Sequence, residues 1–301
     1  MAKSRVLVVG TGGIGTMSAY ALEQGGLAEV TAAMRSNYAA AVENGIDIES
    51  GALADLIWVV KTVPDPSKVQ ALPFDSILVS TKNIPDVSPA VPEIIATVAT
   101  PGKTAIVLSQ NGISIKRPLI AKFPENPIIS SVAYIGATET APAKIDNDSL
   151  DCQKIGAFRS PRGKLDITYD PDVLKVRWMK LAYNATFNPV ASILGLDTPR
   201  MRMSQHIIDD LIIPLVDEIR TIAKADGVAL QTDLLDAVLH QDPNNTAFKP
   251  SMWQDCEKGN LMEIENLVGE PLREAKKLNV PAPTSRIVYN IMKGLQLKAK
   301  E

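Results

Sequence analysis

The feature that most constrains this chain is the junction near its start, RVLVVGTGGIGTMSAYALEQ, running from Arg5 to Gln24. Val6, Leu7, Val8 and Val9 form an apolar run of strand length, and Gly10, Gly12 and Gly15 give GxGxxG spacing in front of a helix. Each glycine has its own reason: Gly10 permits a tight turn, Gly12 a close backbone approach and Gly15 close helix packing. The free amides at the helix start face phosphates. A dinucleotide pyrophosphate fits such a junction.

At 301 residues the chain is long enough for two domains, each with a sizeable core. A net charge of -3 and a pI near 5.6 give no general attraction to nucleic acid or an anionic membrane, so no nucleic-acid or membrane partner is expected. An anionic ligand must be held by local groups. Cys152 and Cys256 are far apart and match no metal-ligand spacing, so no metal is expected. MAKSR lacks a signal-peptide stretch and no 18-residue apolar span follows, which makes a cytoplasmic location the default expectation.

The first half reads as strands separated by crossovers. Glu29–Met34 predicts a second strand, ending at Arg35 rather than at the acidic residue that would favour a free ribose 2'-hydroxyl. The Arg35 guanidinium suits a 2'-phosphate; the plainer alternative is a solvated surface arginine. Residues 45–50 and 56–63 predict a small hairpin elaboration. Further strands are expected at Ser76–Thr81, Thr104–Leu108, Ile128–Ile135 and Cys152–Phe158, with helix at Ile94–Val98 and a polar stretch at Ser160–Thr168. Asn111 follows the Thr104–Leu108 strand, where an open α/β sheet binds its ligand, and it reads equally as a ligand contact or a turn asparagine.

From Pro171 the periodicity becomes helical. Val173–Leu194 predicts one helix with Lys180, Asn184 and Asn188 four residues apart along one face, either a substrate-holding row or a hydrated surface. Further helices are expected at Arg200–Asp226, bent or bounded by Pro214, at Thr232–His240, from Met252, at Leu267–Lys276 and at Ser285–Leu297, with a polar turn at Gln241–Asn245. The stripe Ile207, Ile208, Leu211, Ile212, Leu215 and Ile219 suits packing, and the same face offers a homodimer surface. Ile287, Val288, Ile291, Met292 and Leu295 form a second core stripe. His206 and His240 join no chemical constellation.

Taken in order, GTGGIG (Gly10–Gly15), TKN (Thr81–Asn83), SQNG (Ser109–Gly112), KLAYNATFN (Lys180–Asn188), SMWQD (Ser251–Asp255) and MEIE (Met262–Glu265) resemble the ketopantoate reductase (2-dehydropantoate 2-reductase) family over essentially the whole chain. The resemblance implies an α/β fold: a Rossmann-like NADP-binding domain over 1–168 and an all-helical substrate domain over 169–301 that closes over the substrate. Lys180 is then the catalytic lysine. The cofactor set is Gly10, Thr11, Gly12, Gly13, Ile14, Gly15, Arg35, Lys82 (not Lys61), Asn111, Ala137 and Glu263. Substrate contacts fall to Asn111, Lys180, Asn184, Asn188 and Ser251. Phe248 near Ser251 and Met262 before Glu263 depart from the family pattern and leave room for a different substrate preference.

The implied reaction is NADPH-dependent reduction of a small 2-oxo acid, ketopantoate favoured, yielding (R)-pantoate and NADP+. Hydride reaches the ketone carbon while Lys180 stabilises and protonates the developing alkoxide. Two alternatives stand beside it: reduction of another branched 2-oxo acid, or a nonenzymatic NADP-binding regulator. The combination of Lys180, Asn184, Asn188, Ser251 and Glu263 argues against the regulator.

Overall fold

A computed structural model describes residues 2–51, 55–69, 73–149, 152–159, 172–242 and 247–299. The expected polar stretch at 160–168, the boundary at 168/169, the helix start at Pro171 and residues 243–245 of the expected turn lie outside them. By contact density the chain forms two compact units. One comprises Met1–Asn83, Pro89–Gln110 and Ile115–Val173; the other comprises Ile84–Ser88, Asn111–Ser114 and Leu174–Glu301.

The first unit is built on strands β1 (Ser4–Val9), β2 (Ala28–Ala33), β3 (Ile46–Ser50), β4 (Leu56–Trp58), β5 (Lys61–Val63), β6 (Ser76–Val79), β7 (Ala105–Leu108), β8 (Ile128–Tyr134), β9 (Ala137–Ala141), β10 (Lys144–Asn147) and β11 (Cys152–Arg159). Its helices are α1 (Gly13–Gln24), α2 (Tyr38–Asn44), α3 (Val91–Ile94) and α4 (Lys116–Lys122). Seven strands form the main sheet in the order β11-β8-β7-β6-β1-β2-β5, parallel except for β11 against β8. This is the Rossmann-like half. Strand alternation sorts the core: Leu7 and Val9 join Ile77, Val79, Ile106 and Leu108 beneath α3 and α4, while Val6 and Val8 join Met17, Ala19 and Ala32. Both faces are covered, which is why these strands read as unbroken apolar runs.

The region 45–63 only partly forms the expected hairpin. β3 and β4 do pair antiparallel, Ile46 opposite Trp58, but β5 leaves them and extends the main sheet parallel to β2. β3 and β4 belong to a second sheet ordered β4-β3-β10-β9. Its β9 and β10, ATETA and KIDN, are short and largely polar and gave no apolar pattern to read.

The second unit is mostly helical: α5 (Val173–Asn184), α6 (Phe187–Leu194), α7 (Thr198–Arg202), α8 (Gln205–Ile207), α9 (Ile213–Ala225), α10 (Leu234–Leu239), α11 (Ser251–Glu257), α12 (Glu270–Lys277) and α13 (Pro283–Lys298). Two π-turns, Ile208–Ile212 and Glu265–Gly269, each lie just before a helix whose second residue is proline, Pro214 and Pro271. A proline offers no N–H to the carbonyl four residues back and crowds it, and a widened turn relieves both problems. The Glu218 carboxylate on α9 accepts from the Thr284 and Ser285 amides, both at 2.8 Å, and so caps α13.

Trp178, Phe187, Leu215, Ile219, Met252, Met262, Val288 and Met292 share one core. The two predicted stripes fare differently. Ile212, Leu215 and Ile219 are buried with Ile207, Ile208 and Leu211 packed partly against them. Of the predicted stripe on α13, only Val288 and Met292 are buried; Ile287 and Ile291 are 62% and 45% exposed, because a lone helix face is narrower than the stripe.

Candidate active site

The glycine turn is closely packed. Gly10 has φ +94° and a Cβ there would sit 2.6 Å from the Thr81 amide nitrogen; a Cβ on Gly15 would sit 2.0 Å from the Gly10 carbonyl oxygen. These support the turn and packing roles. Gly13 has a third one that spacing did not suggest: its Cβ would fall 2.0 Å from the Ala137 carbonyl, so β9 is laid directly on the start of α1. Gly12 differs, since its nearest atom is the Glu139 carboxylate at 3.6 Å. A Cβ there would make an ordinary contact with that carboxylate and meet no backbone atom.

Around the turn, Thr11 is buried and its carbonyl accepts from the Thr16 hydroxyl (3.0 Å) and the Asn37 amide (3.1 Å). The same Asn37 nitrogen donates to Glu139 at 3.1 Å. Ile14 is half-buried, Arg35 is exposed after β2, and Lys82 is exposed after β6. Gln110 in SQNG donates to the Thr81 carbonyl at 2.6 Å, tying the ends of β6 and β7 together. Asn37 and Glu139 were not singled out from sequence; an asparagine in a loop and a glutamate in a polar strand carry no pattern.

In the helical unit the expected single helix from Val173 to Leu194 is two. α5 ends at Asn184 and α6 starts at Phe187. Pro189 has no N–H for the Ala185 carbonyl, and the Thr186 hydroxyl takes over the Ala182 carbonyl at 2.7 Å, so the helix restarts with proline in its first turn. Lys180 and Asn184 share α5, whereas Asn188 lies on α6; the three do not form one helical row. Asn184 and Asn188 are both buried, and among the described residues the Asn188 Oδ1 has no hydrogen-bond partner, an acceptor left for a donor.

Lys180 is half-buried, and desolvation first, then the nearby Arg177 charge, brings its pKa down to about 8, against an opposing pull from Glu263. An ordinary lysine titrates at 10.5. At pH 7 Lys180 is still about nine-tenths protonated, and it is a better acid than an exposed lysine. Arg177 is 3% exposed, its own pKa pulled to about 9 by burial, and its Nη1 donates to the Gly112 carbonyl at 2.8 Å. Asn111 and Gly112 belong by contact to this helical unit.

Glu263 is 9% exposed and accepts from Asn266 at 3.3 Å. Met262 beside it is a core residue, with its backbone bracketed by Gln296. Ser251 is exposed as the first residue of α11, and Phe248, 36% exposed, gives its carbonyl to the Thr198 amide at 3.2 Å. His206 and His240 have side chains 95% and 60% exposed beside Asp210 and Asp236. Arg177, Asn266 and Gln296 were missed: a buried cation and two amides inside apolar helices look like ordinary helix-face residues. Asn266, three residues after Glu263, had the one usable signal. Among the described residues no His/Cys/Asp/Glu group could hold a metal, and no helix is long and apolar enough to cross a membrane.

Comparison with known proteins adds a lineage. The ketopantoate reductase PanE/ApbA family profile matches residues 6–160, and the profile of that family's C-terminal region matches 172–296. The uncharacterized protein YDL144C of Saccharomyces cerevisiae is 33% identical over 99% of this chain and 95% of its own. A 2-dehydropantoate 2-reductase from Nostoc is 21% identical over 98% of this chain and 96% of its own. Among solved structures, 2-dehydropantoate 2-reductase from Methylococcus capsulatus superposes with a TM-score of 0.84 at 28% identity, covering 99% of this chain and 98% of that one.

Proposed function

The chain belongs to the ketopantoate reductase PanE/ApbA family, and from that premise we propose that it reduces the ketone of 2-dehydropantoate (ketopantoate) to (R)-pantoate with NADPH. The observation that supports this most directly is Lys180, a buried-side ammonium whose pKa is brought to about 8. Cofactor binding is assigned to residues 1–168 and substrate binding to 169–301. When bound, NADPH supplies the hydride. The glycine turn from Gly10 to Gly15 holds the pyrophosphate through Thr11, Gly12, Gly13 and Ile14 backbone, with Ala137 laid against it; Arg35 takes the 2'-phosphate, and Lys82, Asn111 and Glu263 complete the cofactor contacts.

Lys180 donates a hydrogen bond to the ketone oxygen, stabilises negative charge as it develops there, and passes its proton to the alkoxide; the neutral amine regains a proton from solvent. Asn184 and Ser251 orient the carboxylate, and the unpartnered Asn188 Oδ1 accepts from the substrate hydroxyl. Phe248, an exposed aromatic three residues before Ser251, favours a second reading in which a bulkier branched 2-oxo acid is preferred. The protein acts in the cytoplasm, and the apolar C-terminal helices offer a homodimer surface; a concentration-independent monomer mass opposes the dimer.

The test is NADPH consumption with ketopantoate and a series of branched 2-oxo acids, for the wild-type protein and Lys180→Ala. Loss of the acid costs about 10²- to 10⁴-fold in hydride transfer with NADPH affinity retained. A folded, cofactor-binding Lys180→Ala protein that reduces ketone at the original rate removes the assignment. Turnover of another branched acid in preference to ketopantoate moves the substrate and keeps the chemistry.

A further inference from the structure

Glu263 stands in a short non-helical segment between α11 and the second π-turn, and two buried side-chain amides hold that segment. Gln296 on α13, 3% exposed, accepts from the Met262 amide at 3.0 Å and donates to the Met262 carbonyl at 3.2 Å. Asn266, 1% exposed, uses one Nδ2 for two acceptors: the Glu263 carboxylate at 3.3 Å and the Asn111 carbonyl at 2.8 Å. An amide nitrogen has two hydrogens to give, and both have a partner here.

The loop that carries Asn111 is shaped to receive this amide. Gly112 has φ +98°, and a Cβ on it would sit 2.2 Å from the Asn266 Oδ1 and 2.9 Å from its Nδ2. No residue with a side chain leaves room for that contact. The Gly112 carbonyl is taken by Arg177 at 2.8 Å. Two buried donors, one from α5 and one from the π-turn, thus hold consecutive carbonyls of the Asn111–Gly112 pair. The π-turn itself sets where Asn266 points, because it begins two residues after Glu263 and contains Asn266.

We propose that Asn266 is a positioning residue: it fixes the Glu263 carboxylate and the Asn111 backbone in one mutual arrangement, so that Glu263 keeps its charge directed at Lys180 during ketone reduction. This rests on the reading of Lys180 and Glu263 given above. Asparagine is needed rather than aspartate, since a carboxylate at 266 would face two acceptors and supply no donor. Serine in its place adds no bulk and is too short to bring a donor to both the Glu263 carboxylate and the Asn111 carbonyl.

The charges acting on Lys180 include Arg177 from its own helix, which disfavours the ammonium, and Glu263 from the segment before the π-turn, which favours it. Hydrogen-bond donation to a carboxylate favours its charged form. Without the Asn266 donor, Glu263 supports the ammonium less well and the Lys180 midpoint falls. With aspartate at 266, added negative charge moves the midpoint up.

The experiment follows Lys180 directly in the full-length protein, by carbon-13 NMR of labelled lysine side chains across pH, with the resonance assigned by its loss in Lys180→Arg. Asn266→Ser is expected to lower the midpoint, and Asn266→Asp to raise it, each by about half a pH unit or more. The alkaline limb of kcat with NADPH and ketopantoate follows in the same directions. Val268→Ala, which opens a cavity in the same π-turn, is the control for general loosening: it lowers Tm and leaves the midpoint in place. Asn266 variants that fold and leave the midpoint unmoved, or move it in one common direction, overturn the proposal; either variant alone decides it if the other does not fold. Absence of any reductase activity in the wild-type protein removes the functional reading instead, while the titration still decides whether Asn266 supports Glu263.

Discussion

Arg177 and Lys180 stand one helical turn apart on α5, and the guanidinium is fixed there by its 2.8 Å bond to the Gly112 carbonyl. Burial lowers the Lys180 pKa most, and this neighbouring positive charge lowers it further, to about 8. The arrangement makes the lysine a stronger acid while leaving it protonated at neutral pH.

Removing the charge should therefore move the pH profile upward. Arg177→Met is expected to carry the alkaline limb of kcat to higher pH, without reaching the ordinary lysine value because desolvation remains. Arg177→Lys keeps a cation and holds the limb nearer the wild-type position. Steady-state kcat from pH 6 to about 10 measures this. A downward shift in Arg177→Met would mean that Arg177 acts on Lys180 through something other than its charge.

Arg35 sets a second expectation, for cofactor choice. It is exposed beyond β2, where the chain offers no acidic residue to accept a ribose hydroxyl. Arg35→Ala should weaken NADPH about tenfold or more, the size of one charge-assisted contact, and change NADH affinity little. Titration of cofactor fluorescence with both cofactors separates the cases. Equal losses would place Arg35 in a general or pyrophosphate role.

The four glycines of the turn separate fold from binding in a way their spacing does not. Gly13 and Gly15 each leave only 2.0 Å between a Cβ and a backbone carbonyl oxygen, so Gly13→Ala and Gly15→Ala should destabilise the protein by about 1–3 kcal/mol or more. Gly12 has φ −71° and no backbone atom in the way. Gly12→Ala should keep the wild-type Tm and, if the proposed pyrophosphate contact is made at this backbone, lose NADPH affinity. A Gly12→Ala protein with full affinity and reduced Tm would reverse the assignment.

How much of this was visible in the sequence depended on the period of each pattern. The VLVV run and the glycine spacing carried β1, the turn and α1, since a strand buried on both faces and a Cβ-free turn leave a local trace. Helices α9 and α13 were read from their apolar spacing. What escaped depends on contacts remote in sequence. Gly13 matters through Ala137, Asn111 through Asn266, and Met262 through Gln296. The break at Ala185–Thr186 is legible in principle from Pro189, but the regular four-residue spacing of Lys180, Asn184 and Asn188 is a pattern of continuity and masks it.

The last expectation concerns acid stability and the start of the second π-turn. Burial would raise the Glu265 pKa, but Lys293 (2.8 Å), the Tyr289 hydroxyl (2.6 Å) and Arg273 (2.8 Å) outweigh it and hold the carboxyl at about 2. The unfolded chain takes its proton near 4.5. A carboxylate with a depressed folded pKa adds stability that is fully present above the unfolded value and is lost as pH falls through the folded one. The loss therefore spans about pH 4.5 down to 2. Glu265→Gln has no proton to take up there, so its stability should be lower at pH 7 and fall less steeply across that window. The Glu265 side chain is 15% exposed, but Arg273 and Lys293 are 48% and 40% exposed, and water at the cations screens the pairs and keeps the difference below what the full shift implies. Denaturant midpoints at pH 7, 4.5, 3.5 and 2.5 compare the two proteins, and added salt should narrow the gap. Curves that stay parallel from pH 7 to 2.5 would show that Glu265 is equally stabilised in the unfolded chain, and that the Lys293–Tyr289–Arg273 cluster does not anchor the π-turn through this carboxylate.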